Sequence, residues 1–414
     1  MSPLQPVRGT HDLLPEEHRL HKLVCDTACE IAEHYGYDEI STPIFESTDV
    51  FARTLGETSD IVTKEMYTFE DRNGDSITLR PEYTAGVARM LMSNGLSQSL
   101  PLKVFARGPM FRRERPQKGR QRQFHQIDVE VLGVPGPLAD IEVIALGAHI
   151  LDALGLSAHI KLELNSLGDT ESRQVYRAQL VDYFNDHKAN LSEESLTRLE
   201  KNPLRILDSK AENDRQIVKD APLLGGSLNA HSEDFFAEVK SGLTAIGIDF
   251  ELNPYLVRGM DYYCHTAFEF TTDTLGAQGA VLAGGRYDGL VETMGGPPTP
   301  GIGWAAGVER LAMMVGTPPE ALRPLVVIPV GADAADMALR ITNQLRRAEF
   351  SVDLGFSGNM KKRLNRANKA NAIAAILLGE DELAKGVATI RDMESGEQTE
   401  VPLTSLEEHL ARYR

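Results

Sequence analysis

The chain has 414 residues, long enough for two or three domains, and its 42% hydrophobic content is that of a folded protein rather than a disordered one. Its 60 acidic residues outnumber 43 basic ones, a formal net charge of −17 that excludes wholesale coating of nucleic acid. Local basic sites stay open, because exposed charges are screened beyond about 8–10 Å in physiological salt, and no run of about 18 apolar residues marks a membrane span.

The N-terminal MSPLQPVRGTHDLLPEEH lacks the basic, apolar and small-residue zones of a signal peptide, so a cytoplasmic location is expected. Residues 15–35 read as a helix. Leu20, Leu23, Val24, Ala28, Ile31 and Ala32 recur at helical spacing, and Gly36 ends the run. Cys25 and Cys29 lie four apart there and Cys264 is alone. With no C-x-x-C pair, reduced thiols are expected and no resident metal. Asp38 to Pro43 reads as a strand entering a turn. Asn73-Gly74, between alternating runs, predicts a hairpin over 65–80. A helix follows from Thr84 to Asn94, then strands at 102–112 and 123–134 flanking the aperiodic RERPQKGRQRQ, then a helix at 138–153. From 168 to 245 the chain turns helical and polar, which suggests an inserted domain. Strands resume over 250–295, broken by Gly276, Gly279 and Gly284-Gly285, and LVRGMDYY (256–263) is taken as strand-like chain. GGPPTPGIG leads into a strand–helix unit ending near Met314. After the linker GTPPEALRP come an apolar strand (LVVIPVG), a helix (333–348), a strand (351–354), a helix (358–371), a second apolar strand (AIAAILLG) and a closing hairpin. The first 320 residues are thus expected to be α+β with antiparallel strands, and the last 90 α/β around a parallel sheet.

Two clusters carry most of the positive charge. Arg107, Arg112, Arg113, Arg115, Lys118, Arg120 and Arg122 surround Glu114 in a stretch shaped by Pro116 and Gly119. This is either a solvated face or a phosphate site, for which Phe124 offers a flat surface to a base. The second is KKRLNRANK, 361–369, with Arg340, Arg346 and Arg347 before it and Phe350 and Phe356 as the aromatics able to stack. Between them, Gln126, Asp128 and Glu130 share one strand face, either a wet polar face or a pocket for a cationic ligand. Arg258 is either a guanidinium aimed at developing charge or one half of a buried pair with Asp261.

FRRE, the basic loop and RQFHQIDVEVLG resemble motif 2 of the class II aminoacyl-tRNA synthetases. GIGWAAGVERL resembles their motif 3, and the first helix with YDEISTPIFE, Pro43 included, resembles motif 1. LVRGMDYYCHTAFEF, AGGRYDGL and TLRPEYTAGVAR are similar to stretches of the histidyl-tRNA synthetases, and the matches run in order from Arg8-Gly9-Thr10 to GEDELAKGVATIRD. The resemblance implies an α+β antiparallel-sheet class II catalytic domain (1–167 and 246–320) with a helical insertion (168–245), plus a C-terminal α/β anticodon-binding domain (325–414). It implies histidine–tRNA ligation: L-histidine and ATP give histidyl-adenylate and pyrophosphate, and histidine passes to the 3′ end of tRNA(His). It also implies a homodimer formed across motif 1, and nucleotide chemistry leads one to expect Mg²⁺ on the ATP β- and γ-phosphates.

The same resemblance assigns residues. Arg112 would bind the ATP α-phosphate, Glu114 would face the adenine, Phe124 would stack beneath it and Arg310 would reach the terminal phosphates. Arg113, Arg115, Lys118, Arg120 and Arg122 would touch the tRNA acceptor end. Glu82, Thr84 and Gln126 would hold the histidine ammonium, and Glu130 and Tyr263 its imidazole. Tyr262 and Tyr287 would line the pocket. Tyr83, where relatives carry a smaller residue, is counted with the pocket although extended chain would turn it away. Extended chain would likewise send Tyr262 and Tyr263 to opposite sides. Arg258, backed by Gly259 and oriented by Asp261, would join Arg112 as the catalytic cations at the α-phosphorus and would also contact the bound histidine. Lys361, Lys362 and Arg363 would meet the anticodon arm. Two alternatives stand beside this reading: a histidine-sensing regulatory subunit of a biosynthetic enzyme, and a synthetase for another amino acid.

Overall fold

In the computed structural model, which describes residues 3–56, 61–117, 119–207, 209, 211–257, 262–275 and 279–413, the first amphipathic run forms α1 (Pro15–His34). Pro15 starts it with a preset φ, Glu16 and Glu17 favour its N-terminal dipole, and Gly36 takes the positive φ of 77° that closes it. Then come β1 (Asp38–Ile40), β2 (Phe45–Ser47), α2 (Thr48–Ala52) and the expected hairpin, β3 (Tyr67–Glu70) and β4 (Ser76–Leu79). Asp71 Oδ1 shapes that turn by accepting from the backbone N–H of Asn73 and Asp75, at 2.8 and 3.0 Å. Strands β2, β4 and β3 form a small antiparallel sheet, in that order.

The large sheet uses α3 (Thr84–Ser93), β5 (Leu102–Phe111), β6 (Gln123–Leu132), α4 (Leu138–Ala153) and β7 (Lys161–Ser166) before the helical stretch, and more strands after it. The stretch itself holds α5 (Thr170–Asp186), α6 (Glu193–Lys201), α7 (Glu212–Val218) and α8 (Ala230–Ala245). Beyond it lie β8 (Glu251–Leu252), β9 (Cys264–Thr271), β10 (Ala280–Arg286), α9 (Leu290–Thr293), β11 (Gly301–Gly307) and α10 (Val308–Val315). The eight strands run β1-β5-β6-β11-β10-β9-β7-β8. All internal pairs are antiparallel, and the two edge strands pair parallel with their neighbours.

Strand β6 shows how sequence period becomes a two-sided sheet. Ile127, Val129 and Val131 turn into the main core with α1, α4 and α10, so Gln126, Asp128 and Glu130 must face the other way. The helical stretch is not uniform. Tyr176, Leu180, Phe184, Leu199, Ile206, Val218 and Leu224 form a separate apolar cluster, whereas α8 gives Phe235, Val239 and Leu243 to the main core. Asp214 ties the separate part together by accepting from Ser192, Ser195 and Ser209 hydroxyls at 2.6–2.7 Å.

The strand expected across LVRGMDYY does not form among its described residues. Asn253 Oδ1 accepts from Tyr255 N at 3.0 Å and its carbonyl from Leu256 N at 3.0 Å, which turns the chain at Pro254. Strand pairing resumes only at Cys264. Arg258 to Asp261 lie outside the described residues.

The chain divides into two compact units, 1–319 and 320–414. The second holds β12 (Leu325–Pro329), α11 (Ala335–Arg347), β13 (Val352–Leu354), α12 (Met360–Lys369), β14 (Ala374–Leu378), α13 (Glu380–Lys385), β15 (Val387–Asp392), β16 (Gln398–Pro402) and α14 (Leu406–Leu410). Its sheet runs β13-β12-β14-β15-β16, parallel through the first three and antiparallel through the closing hairpin, as the alternation of apolar strands and helices predicts. Among the described residues, no helix is long and apolar enough to cross a membrane.

Candidate functional site

The polar face of β6 opens into a cavity of about 1100 Å³ in the first unit. At one end Glu82, Thr84, Gln126 and Asp128 line it, and Glu130 lies just beneath. The carboxylate of Glu82 is placed by the start of α3, where its Oε1 accepts from Ala85 N at 3.0 Å. Glu130 crosses the sheet over Gly303, its register partner on β11, and accepts from the Tyr287 hydroxyl. A Cβ on Gly303 would stand 1.7 Å from Glu130 Oε2, and one on Gly301 would stand 2.2 Å from the Tyr287 ring. Both glycines are there because the acid and the phenol occupy their side-chain space.

Burial raises the pKa of all three acids. Glu130 is pushed up to about 8, Asp128 rises well above the carboxylate range with Glu130 as its second cause, and Glu82 rises as well. Glu82 Oε2, Gln126 Oε1, Asp128 Oδ1 and Glu130 Oε1 are buried without a hydrogen-bond partner among the described residues. Buried acceptors left unmade cost about 1–3 kcal/mol each, so four together demand an explanation. They suit a ligand rich in N–H donors and bearing positive charge.

Aromatic rings close this end. Tyr262 lies 4.6 Å from Tyr263 and 5.7 Å from Tyr287, centroid to centroid. The two neighbouring tyrosines therefore join one cluster instead of diverging, because their segment is turned rather than extended. Tyr263 lines the cavity and Tyr287 lies behind, next to Glu130. The expectation for Tyr83 as a pocket residue is corrected. Tyr83 adopts helical backbone at the start of α3, so its ring goes behind β5, packs with Ala106 and Met110, and carries the Arg80 guanidinium at 4.3 Å. It does not line the cavity.

The other end is basic. Arg112 is held by Pro81 O at 2.9 Å, and its guanidinium stands 5.3 Å from the Phe124 ring. Both line the cavity, as does Arg310 from the first turn of α10. Burial, then Arg120, lowers the Arg310 pKa, the mark of a cation held near another cation in a cleft. The neighbouring Glu309 gives its carboxylate to His125. Glu114 also lines this end, but bonds Arg120 at 2.6 Å.

The loop arginines divide into two kinds. Arg113 and Arg115 are exposed. Arg120 pairs with Glu114, and Arg122 donates to the Glu114 carbonyl at 3.3 Å while its own backbone N–H bonds Gly9 O at 2.7 Å. Those two brace the loop, which a backbone pairing of Gln117 with Arg120 closes. Lys118 lies outside the described residues, as does Arg258. In the second unit Lys361 and Lys362 are exposed, but Arg363 turns inward to the Pro329 carbonyl. Phe350 is a core residue and so is removed from the stacking candidates, while Phe356 is 75% exposed.

Two features escaped the sequence. Arg173, Arg177, Arg198, Lys201 and Arg205 from the helical stretch line the cavity, and Arg173 donates to the Tyr263 carbonyl. Their signals were Arg173 and Arg177 four apart on one helix and Arg198 and Lys201 three apart on the next, indistinguishable from solvated faces. Arg286, fully buried, pairs with Asp140 and also holds Val134 O, Gly136 O and Asp288, each at 3.0 Å, which pins the chain immediately before Tyr287.

Comparison with known proteins finds matches along nearly the whole chain. Residues 9–311 match the family model for histidyl-tRNA synthetase, and 325–413 match one for an anticodon binding domain. The chain is 60% identical to the Histidine–tRNA ligase of Rhodospirillum rubrum over the whole of both chains. It is 56% identical to that of Gluconacetobacter diazotrophicus over 99% of each. The crystal structure of apo S. aureus histidyl-tRNA synthetase superposes with a TM-score of 0.83 at 34% identity, over 98% of this chain and 99% of that one.

Proposed function

We propose how the cavity works from one premise: this chain belongs to the histidyl-tRNA synthetase family. Its first unit is a class II catalytic domain built on an antiparallel sheet, its second an anticodon-binding domain, and its activity is that of a histidine–tRNA ligase. The regulatory-subunit alternative is not favoured, since full-length relatives at 56–60% identity are ligases by name.

The observation that carries the assignment of the pocket is the set of four buried, unpartnered acceptor oxygens on Glu82, Gln126, Asp128 and Glu130. Free histidine brings an ammonium with three N–H groups and an imidazole N–H. Glu82, Thr84 and Gln126 hold the ammonium; Glu130 and Tyr263 hold the imidazole, with Tyr262 and Tyr287 forming the wall. A ligand cation also restores the ionised form of an acid that burial keeps protonated.

ATP occupies the basic end as its magnesium complex, the metal riding on the β- and γ-phosphates. Arg112 meets the α-phosphate, Phe124 lies beneath the adenine, Glu114 borders the base, and Arg310 reaches the terminal phosphates. One histidine carboxylate oxygen attacks the α-phosphorus in line, the bond to the bridging oxygen breaks, and pyrophosphate leaves. Arg112, held by Pro81 O, faces the charge that builds on the non-bridging oxygens without reorganising, and Arg258 is assigned the same task on the resemblance of LVRGMDYY alone. The terminal ribose hydroxyl of tRNA(His) then attacks the acyl carbon and AMP leaves, with an adenylate phosphate oxygen accepting the hydroxyl proton.

Arg113, Arg115 and Lys118 contact the acceptor end of the tRNA. On the second unit Lys361 and Lys362 neutralise phosphates and Phe356 offers a stacking surface to an unpaired base. Residues 168–245 form the insertion, the working form is a homodimer joined across α1 and the β1–β2 segment, and the enzyme acts in the cytoplasm. The test is pyrophosphate exchange with each amino acid in turn, with and without total tRNA. Exchange with histidine alone is expected; comparable exchange with any other amino acid contradicts the pocket assignment.

A further inference from the structure

Glu309 stands one residue before Arg310, and nothing above gives it a task. Its carboxylate accepts the backbone N–H of His125 on both oxygens, at 2.9 and 3.0 Å, and takes His125 Nδ1 at 2.9 Å. The reason lies in the sheet. Pairing between β6 and β11 stops at Gln126 and Gly307, so the N–H of His125 lies just past the end of that ladder. Glu309, itself buried two residues beyond Gly307, caps this part-buried donor. On its other side the His125 ring meets the edge of His21 from α1, 5.4 Å away at 83°. The imidazole is therefore wedged between the first helix and the last helix of the catalytic unit. These three side chains also bring possible metal-binding atoms within 4.8 Å of one another, but Glu309 is engaged by N–H donors, which makes the cluster a clamp.

His125 is flanked by Phe124 on the adenine side and Gln126 on the histidine side. We propose that Glu309 is a positioning residue: by tying the start of β6 to α10, it sets the separation of Phe124 and Arg310 and so the grip on the nucleotide. This rests on the nucleotide reading given above. Gln126 keeps its own ladder partner, Gly307, so the histidine end does not depend on the clamp. The proposal thus separates the two substrates.

The test is pyrophosphate exchange with Glu309→Ala and Glu309→Gln, with Phe124→Ala and Arg310→Gln as references. Loss of the cap that ties the part-buried His125 N–H to α10 predicts a rise of about tenfold in the ATP KM of Glu309→Ala, with the histidine KM moving less than about threefold. Glu309→Gln should stay near wild type, because its amide oxygen accepts the N–H and its amino group donates to the other His125 tautomer. An unchanged ATP KM in Glu309→Ala, a parallel rise in both KM values with a lower Tm, or a Gln variant as impaired as Ala each overturns the proposal. If Glu309→Ala does not fold, His125→Phe removes only the ring bond and is read the same way, a selective rise in ATP KM supporting and a parallel rise refuting. Should Phe124→Ala and Arg310→Gln leave the ATP KM unaltered, the nucleotide reading itself fails, whatever Glu309 does.

Discussion

At the scale of single residues, Glu130 decides the most. Its ordinary pKa of 4.5 is pushed up to about 8 by burial, so the empty pocket holds the carboxyl protonated at neutral pH. A raised folded-state pKa contributes stability that is complete below 4.5 and is lost as pH climbs through about 8. The unliganded protein should therefore lose some stability across that window, and a cationic ligand, which needs the carboxylate, should bind more tightly toward its upper end. Histidine binding at pH 7.5 should release a proton, read by calorimetry in two buffers of different ionisation heat. Glu130→Gln should reduce that release, Asp128 and Glu82 keeping raised pKa values of their own, and raise the histidine KM by about 100-fold, the loss of a charged, buried acceptor, while leaving the ATP KM nearly constant. Equal binding heats in both buffers would refute the protonated-acid account. The polar alternation that exposes Glu130 was readable, since period 2 on β6 needs no tertiary knowledge. The depth of its burial was not, because that depends on Gly303 and Tyr287, which are distant in the chain. Tyr83 shows the opposite limit: one residue of helical backbone reverses a direction inferred from extended chain.

At the scale of elements, strands and helices were largely readable from periodicity and punctuation, down to the hairpin at Asn73-Gly74. The failure came at the described residues before Cys264, where a local turn built by Asn253 carries the chain through Leu256 out of the strand that its composition suited. In the 113–122 loop, charge type was visible but charge partner was not. Glu114 looked like a ligand to the base, yet it also holds the loop closed through Arg120 and Arg122. The two kinds of arginine should therefore separate by experiment. Arg113→Gln with Arg115→Gln should slow histidine transfer to tRNA by about tenfold and spare pyrophosphate exchange. Arg120→Gln should impair both steps, because it releases Glu114 at the edge of the nucleotide end. Parallel assays of exchange and aminoacylation distinguish them, and equal behaviour of the two variants would mean the loop acts as one unit.

At the scale of the whole molecule, a chain of net charge −17 must still hold a polyanion. On the proposed reading it does so with local groups of cations, among them those that line the catalytic cavity and those on α12. The second unit has its own core and sheet. Along α12, Leu364 and Ala367 pack inward and Arg363 is fixed to Pro329, leaving Lys361 and Lys362 as the pair facing solvent at the start of the helix. If they neutralise two phosphates, replacing both with Gln removes two released counterions. The slope of log K for tRNA against log salt should then flatten by about 0.7 for each phosphate of unpaired chain that is no longer neutralised, and affinity at low salt should fall most. Histidine-dependent pyrophosphate exchange should not change. Arg363→Gln gives the contrast: it breaks an internal bond, so it should lower the melting temperature and leave the salt slope alone. A flattened slope in Arg363→Gln and an unchanged one in the double lysine variant would place the phosphate-binding groups elsewhere on this unit.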